Sequence, residues 1–115
     1  MSALLEVPRL GDLDGLPVDI DVSGSLGVVS VTGWSGDGDT VVLTWDEFAG
    51  SVTVRWLEDS EERLVIEREA ASKVSVREEE GQVEFWIWSG SDGLGGQLVV
   101  RVGERVRVTD AILCQ

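Results

Sequence analysis

Apolar and polar residues alternate one for one through most of the chain from Pro17 onward, and no window carries an apolar stripe at helical spacing. A chain patterned this way buries its apolar side chains only by forming strands that turn one face inward. The candidate strands are "PVDIDV" (17–22), "LGVVSVTGW" (26–34), "TVVLTW" (40–45), "SVTVRWL" (51–57), "RLVIERE" (63–69), "KVSVREE" (73–79), "QVEFWIW" (82–88), "QLVVRV" (97–102) and "RVRVTDAIL" (105–113). Nine short strands in a row predict an all-β sandwich or barrel.

The connections narrow the topology. "SGDGD", "DEFAG", "EDSEE", "AAS", "EG", "SGSDGLGG" and "GE" are almost all of hairpin length, so consecutive strands are expected to be antiparallel neighbours. A Greek key needs a long return connection, and none follows residue 26. The expectation is an antiparallel up-and-down meander of about nine strands, curled into a barrel or folded into a two-layer sandwich. Glycines 24, 27, 33 and 50 suit bulges or coiling where the sheet bends. At 115 residues the chain reads as a single all-β domain, 1–115, with residues 1–16 either an edge strand ("ALLEV", before Pro8) or an irregular lead-in.

Trp34, Trp45 and Trp56 recur at the ends of three consecutive strands. Trp45 shares a face with Val41 and Leu43, and Trp56 with Val52 and Val54, which assigns both to the core. Trp34 follows Val28, Ser30 and Thr32, which leaves its side open. The segment "QVEFWIW" raises a sharper question, because Val83, Phe85 and Ile87 fall on one face and Glu84, Trp86 and Trp88 on the other. Three answers stand: a chain segment covers the second face, the indoles line an apolar barrel cavity, or they are exposed anchors of a protein interface.

Charge is the strongest compositional signal, with 22 acidic residues against 9 basic ones and a formal net charge of -13. A meander delivers its turns alternately to two ends of the sheet. One end is expected to collect Asp37, Asp39, Glu58, Asp59, Glu61, Glu62, Glu78, Glu79, Glu80 and Glu104, and the other only Asp46, Glu47 and Asp92. A field focused at one end steers a basic partner and is screened by salt. Acidity that serves only solubility, or adaptation to a salty cytoplasm, is the competing account. The pairs in "GDLDG" and "SGDGDT" do not fit a calcium-binding loop, so no metal site is assigned. "GSDGLGG" precedes a strand and not a helix, which removes the phosphate-loop reading; it is expected to form a flexible rim beside the tryptophans.

Catalysis and cofactor binding find no support. The chain has no histidine and no tyrosine; Cys114 has no imidazole to activate it, and Ser72 and Lys73 point to opposite faces of a strand. The negative field disfavours nucleic acid and anionic lipid. No segment has signal-peptide character or the length of a membrane span, so the expected location is the cytoplasm. Arg101, Arg105 and Arg107 concentrate positive charge and are expected to pair with acids such as Glu67, Glu69 or Glu84. The reading is a non-enzymatic acidic domain, monomeric or homodimeric, that captures a basic protein, as an immunity or inhibitor protein does with a cationic toxin or nuclease. Its binding residues are Asp37, Asp39, Glu58, Asp59, Glu61, Glu62, Glu78, Glu79 and Glu80, together with Trp86 and Trp88. The alternatives are a β-barrel carrier of an apolar small molecule and a self-associating structural module.

Overall fold

The structure, a computed structural model, describes residues 5–22, 26–91 and 94–114, with backbone alone at 90–91, 94–95 and 111–114. Among the described residues nine strands form: β1 Val18–Asp21, β2 Val28–Trp34, β3 Thr40–Asp46, β4 Ser51–Glu58, β5 Glu61–Arg68, β6 Ala71–Glu79, β7 Gln82–Ser91, β8 Leu94–Val102 and β9 Val106–Cys114. They make two antiparallel meanders, one ordered β1-β2-β3-β4-β5 and the other β6-β7-β8-β9. Within each sheet sequence neighbours are sheet neighbours, as hairpin-length links require. The exception is β5 to β6, which are consecutive but not hydrogen-bonded to each other. There the chain steps between layers over Glu69 and Ala70, with Ala70 at φ 55°. The sheets therefore stack without closing, and the barrel interior that a carrier would need is not formed.

Alternation decides which residues meet between the layers. In β3, Val41, Leu43 and Trp45 are buried while the residues between them are only partly covered. Register aligns Leu43 with Val31 on β2 and Val54 on β4, so one apolar row crosses the first sheet. Phe85 and Ile87 on β7 align with Val100 and Leu98 on β8 and build the facing row. These side chains belong to one continuous core. Phe85 reaches across it, its ring tip 3.7 Å from where a Cβ on Gly33 would lie.

The lead-in joins the second sheet. Glu6 N–H donates to Ser72 O at 3.1 Å and Val74 N–H donates to Glu6 O at 2.8 Å, a parallel bridge along the free edge of β6. This bridge is isolated and belongs to no strand, and residues 1–4 of the lead-in lie outside the described residues. Leu5 and, after a short 3-10 turn at Leu10–Leu13, Leu13 are buried at 3% and 1% exposure.

Strand ends differ from expectation where turns are tighter than they read. Asp59 and Ser60 both take positive φ (52° and 67°), a two-residue hairpin that lets β5 begin at Glu61 rather than at residue 63. In the glycine-rich stretch after Trp88, where a loop is expected, Ser89 lies opposite Gly96 and Gly90 opposite Gly95 as ladder, while residues 92–93 lie outside the described residues. Register shifts occur between Trp56 and Leu57 and between Ala71 and Lys73. They do not fall at glycines: Gly27 and Gly50 are turn residues at φ 84° and 70°, Gly33 is in regular register, and residue 24 lies outside the described residues.

Trp45 is 1% exposed and Trp34 is 51% exposed, which resolves the tryptophan left open above. Trp45→Ala is expected to cost about 3–5 kcal/mol, read as a lower urea midpoint at unchanged slope. Trp34→Ala is expected to stay within about 1 kcal/mol in the same titration.

Candidate partner-binding surface

Four turns share one end of the sandwich. Trp34 pairs with Thr40 and Thr40 with Leu57, which sets the β2–β3 and β4–β5 turns at the same end of the first sheet. Glu79 pairs with Gln82 and Val83 with Val102, which does the same for the β6–β7 and β8–β9 turns of the second. The two sheets are joined at that end by backbone bonds: Gly36 N–H donates to Gly103 O at 2.8 Å and Asp37 N–H donates to Glu104 O at 3.1 Å. A Cβ on residue 36 would lie 3.3 Å from Glu104 Cα, so glycine permits this approach of two acidic turns.

The carboxylates gathered there are not equivalent. Asp37, Asp59, Glu61, Glu78, Glu79, Glu80 and Glu104 are exposed. Glu62 pairs with Arg55, and Glu58 pairs with Arg63 at 3.4 Å. Asp39 is buried at 9% exposure and is occupied internally. Its Oδ2 accepts the Trp56 indole N–H at 2.9 Å, and its backbone N–H donates to Ser35 Oγ at 2.9 Å. The Ser35 hydroxyl also donates to the Asp37 carboxylate. Trp56 thus packs against the core, as its face predicts, while its polar edge holds the β2–β3 turn in shape. Among the described residues no three His, Cys, Asp or Glu side chains are grouped to hold a metal ion, and no helix is long and apolar enough to cross a membrane.

Trp86 and Trp88 alternate with the buried Phe85 and Ile87 and so lie on the outer face of the second sheet. They are half-buried by each other and by their neighbours on β6. Their rings stack with centroids 5.8 Å apart and an interplanar angle of 24°. The Arg77 guanidinium lies 4.6 Å from the Trp86 ring centre, and Lys73 Nζ lies 5.4 Å from that of Trp88. Arg77 and Lys73 went unassigned in the sequence reading, although a two-residue turn at Glu80–Gly81 places Lys73 opposite Trp88 and Arg77 opposite Glu84.

Glu84 is largely withdrawn from solvent. It is 7% exposed; Oε1 accepts the Trp86 indole N–H at 3.0 Å and Oε2 accepts Arg101 Nε–H at 2.9 Å. The Trp86 bond, followed by the Arg101 contact and the charge of Arg77, outweighs burial and holds this carboxyl below its ordinary range. Arg101 therefore takes the pairing expected of it. Arg107 does not, because register sets it directly opposite Arg101.

With this geometry in place the fold can be set beside known structures. It is similar to a chain of the contact-dependent growth inhibition toxin–immunity protein complex from Klebsiella pneumoniae 342. The likeness has a TM-score of 0.74 over 97% of this chain and 100% of that one, at 13% sequence identity. At that identity it establishes a shared fold. No protein-family model and no curated protein sequence matches the chain.

Two outcomes follow from the carboxylates that are bonded internally. Asp39→Ala leaves the Trp56 indole N–H without its partner and is expected to cost about 1–3 kcal/mol in urea titration. A Glu84 carboxyl depressed in the folded state contributes stability that is present above the unfolded value, about 4.3, and is lost as pH falls through the folded value. Glu84→Gln is therefore expected to be less stable than the unmodified chain at pH 7, with the gap closing below pH 4, as followed by thermal unfolding across that range.

Proposed function

We propose that this chain is a non-enzymatic immunity or inhibitor protein that captures a basic protein toxin through the acidic turns at one end of its sandwich. The observation that carries the reading is the convergence of four acidic turns, from both sheets, on a single end. Hairpin tips in general favour carboxylates, but that preference would distribute them between both ends. Concentrated at one, they repel each other and raise the local negative potential, an arrangement stabilised when a cationic surface covers it. A toxin that acts on a phosphate-bearing substrate has such a surface in its active site, and an acidic cap excludes the substrate by occupying the same charges. The fold likeness to a chain from a toxin–immunity complex supports the same role.

Among the described residues Asp37, Asp59, Glu61, Glu78, Glu79, Glu80 and Glu104 are exposed without an ion pair, and the proposed binding set excludes Asp39, which is bonded to Trp56. Trp86 and Trp88 lie outside this contact region. The cytoplasm is the proposed site of action.

The test is the association rate with a cationic protein toxin for which the chain is a candidate inhibitor, measured by stopped flow from low to high salt. The rate is expected to fall on the order of tenfold or more as salt rises, and similarly in Asp59→Lys/Glu61→Lys/Glu80→Lys at low salt. Co-expression of the unmodified chain with that toxin should restore growth, and the triple variant should not. A rate indifferent to both salt and charge reversal would remove the acidic turns from the interface.

A further inference from the structure

In a chain with more than twice as many acids as bases, a cation without a carboxylate partner needs an explanation. Arg55, Arg63, Arg68, Lys73 and Arg101 each have one. Among the described residues Arg9, Arg77, Arg105 and Arg107 have none; Arg77 lies over the Trp86 ring and Arg9 stands apart on the lead-in, whereas Arg105 and Arg107 are exposed and gather beside Arg101. Arg107 also faces Arg101 directly across the β8–β9 ladder, where like charges destabilise a pair. Of these three arginines Glu84 bonds Arg101, and its other oxygen is taken by Trp86. The three arginines surround an open basin that is completed by Gln82 and Glu104. Glu104 belongs to the β8–β9 turn, so this basin borders the acidic end of the sandwich.

We propose that the basin formed by Arg101, Arg105 and Arg107 is a second recognition site, which takes a carboxylate side chain of the protein partner beside the patch that meets the acidic turns. This rests on the reading above only in taking the partner to be the same protein. The guanidinium fork matches a carboxylate in two-point geometry, and an arriving carboxylate removes the Arg101–Arg107 repulsion. Net charge decides against a polyanion. A nucleic-acid strand seated here would run on past Glu104 toward Glu79 and Glu80 and meet repulsion at each step, whereas one carboxylate stops within the basin. The basin therefore selects partners that carry an acid next to a basic patch and sets the register in which the two proteins dock.

The basin can be tested without the toxin. The isotopically labelled protein is titrated at low salt with a capped Asp-Glu dipeptide, and the arginine side-chain Nε–H signals are followed by NMR. Saturable shifts of Arg101, Arg105 and Arg107, half-complete at about millimolar dipeptide, are expected. They should vanish in Arg105→Ser/Arg107→Ser and persist in Asp59→Lys/Glu61→Lys/Glu80→Lys, which separates this site from the acidic turns. Because residues 105 and 107 are exposed, the double variant retains the fold, checked by an unmoved Trp86 indole signal. Absence of saturable shifts, their survival in the double variant, or tighter binding of a single-stranded hexadeoxynucleotide than of the dipeptide would each overturn the proposal.

Discussion

Neither sheet can exist alone. Each has one apolar face, five strands in the first and four in the second, and neither curls round to cover itself. The residues that solve this are Leu43, Trp45, Phe85 and Ile87, all at or below 1% exposure, packed where the two faces meet. Burial of that seam is the dominant favourable term for a fold of this kind. Everything at the surface is positioned by it. The short step over Glu69 and Ala70 turns the second sheet onto the first, and from then on the strand ends of both layers have fixed neighbours.

One such neighbour relation brings acidic turns from different sheets together against their own repulsion. Two backbone hydrogen bonds from Gly36 and Asp37 to the β8–β9 turn hold them, and the Trp56–Asp39 bond ties the same turn to the core. The outer face of the second sheet follows a different logic. There Lys73 and Arg77 lie over the stacked indoles, and Glu84 is enclosed between Trp86 and Arg101. The acidic end and the cationic-aromatic face are thus separate surfaces, adjoining at Glu104.

The strands were legible because period-2 burial leaves a direct mark on composition: Val41, Leu43 and Trp45 read as one face and behave as one. The gathering of turns followed from link lengths, since a hairpin returns the chain to the end it left two strands earlier. What the pattern could not convey was the fate of individual polar groups. Asp39 and Asp37 look alike in "SGDGD", yet one is bonded to an indole seventeen positions away and the other faces solvent. Glu84 looks like an outward residue of an alternating strand, and it is buried because Trp86 and Arg101 close over it. Glu61 and Glu62 read as loop because they are charged, although a two-residue turn with positive φ makes them strand. The first two depend on contacts between distant positions and the last on turn geometry, none of which periodicity encodes.

The bonds from Gly36 and Asp37 to the opposite turn have one more implication. Carboxylates carried on loose loops would have to be immobilised at the moment of encounter, and each ordered side chain and backbone segment subtracts from affinity. Here the backbone beneath Asp37 and Glu104 is already fixed by hydrogen bonds between the layers. In the proposed role, a partner would meet a prearranged display whose entropy was surrendered during folding, and complex formation would retain more of its electrostatic gain with little rearrangement of the main chain.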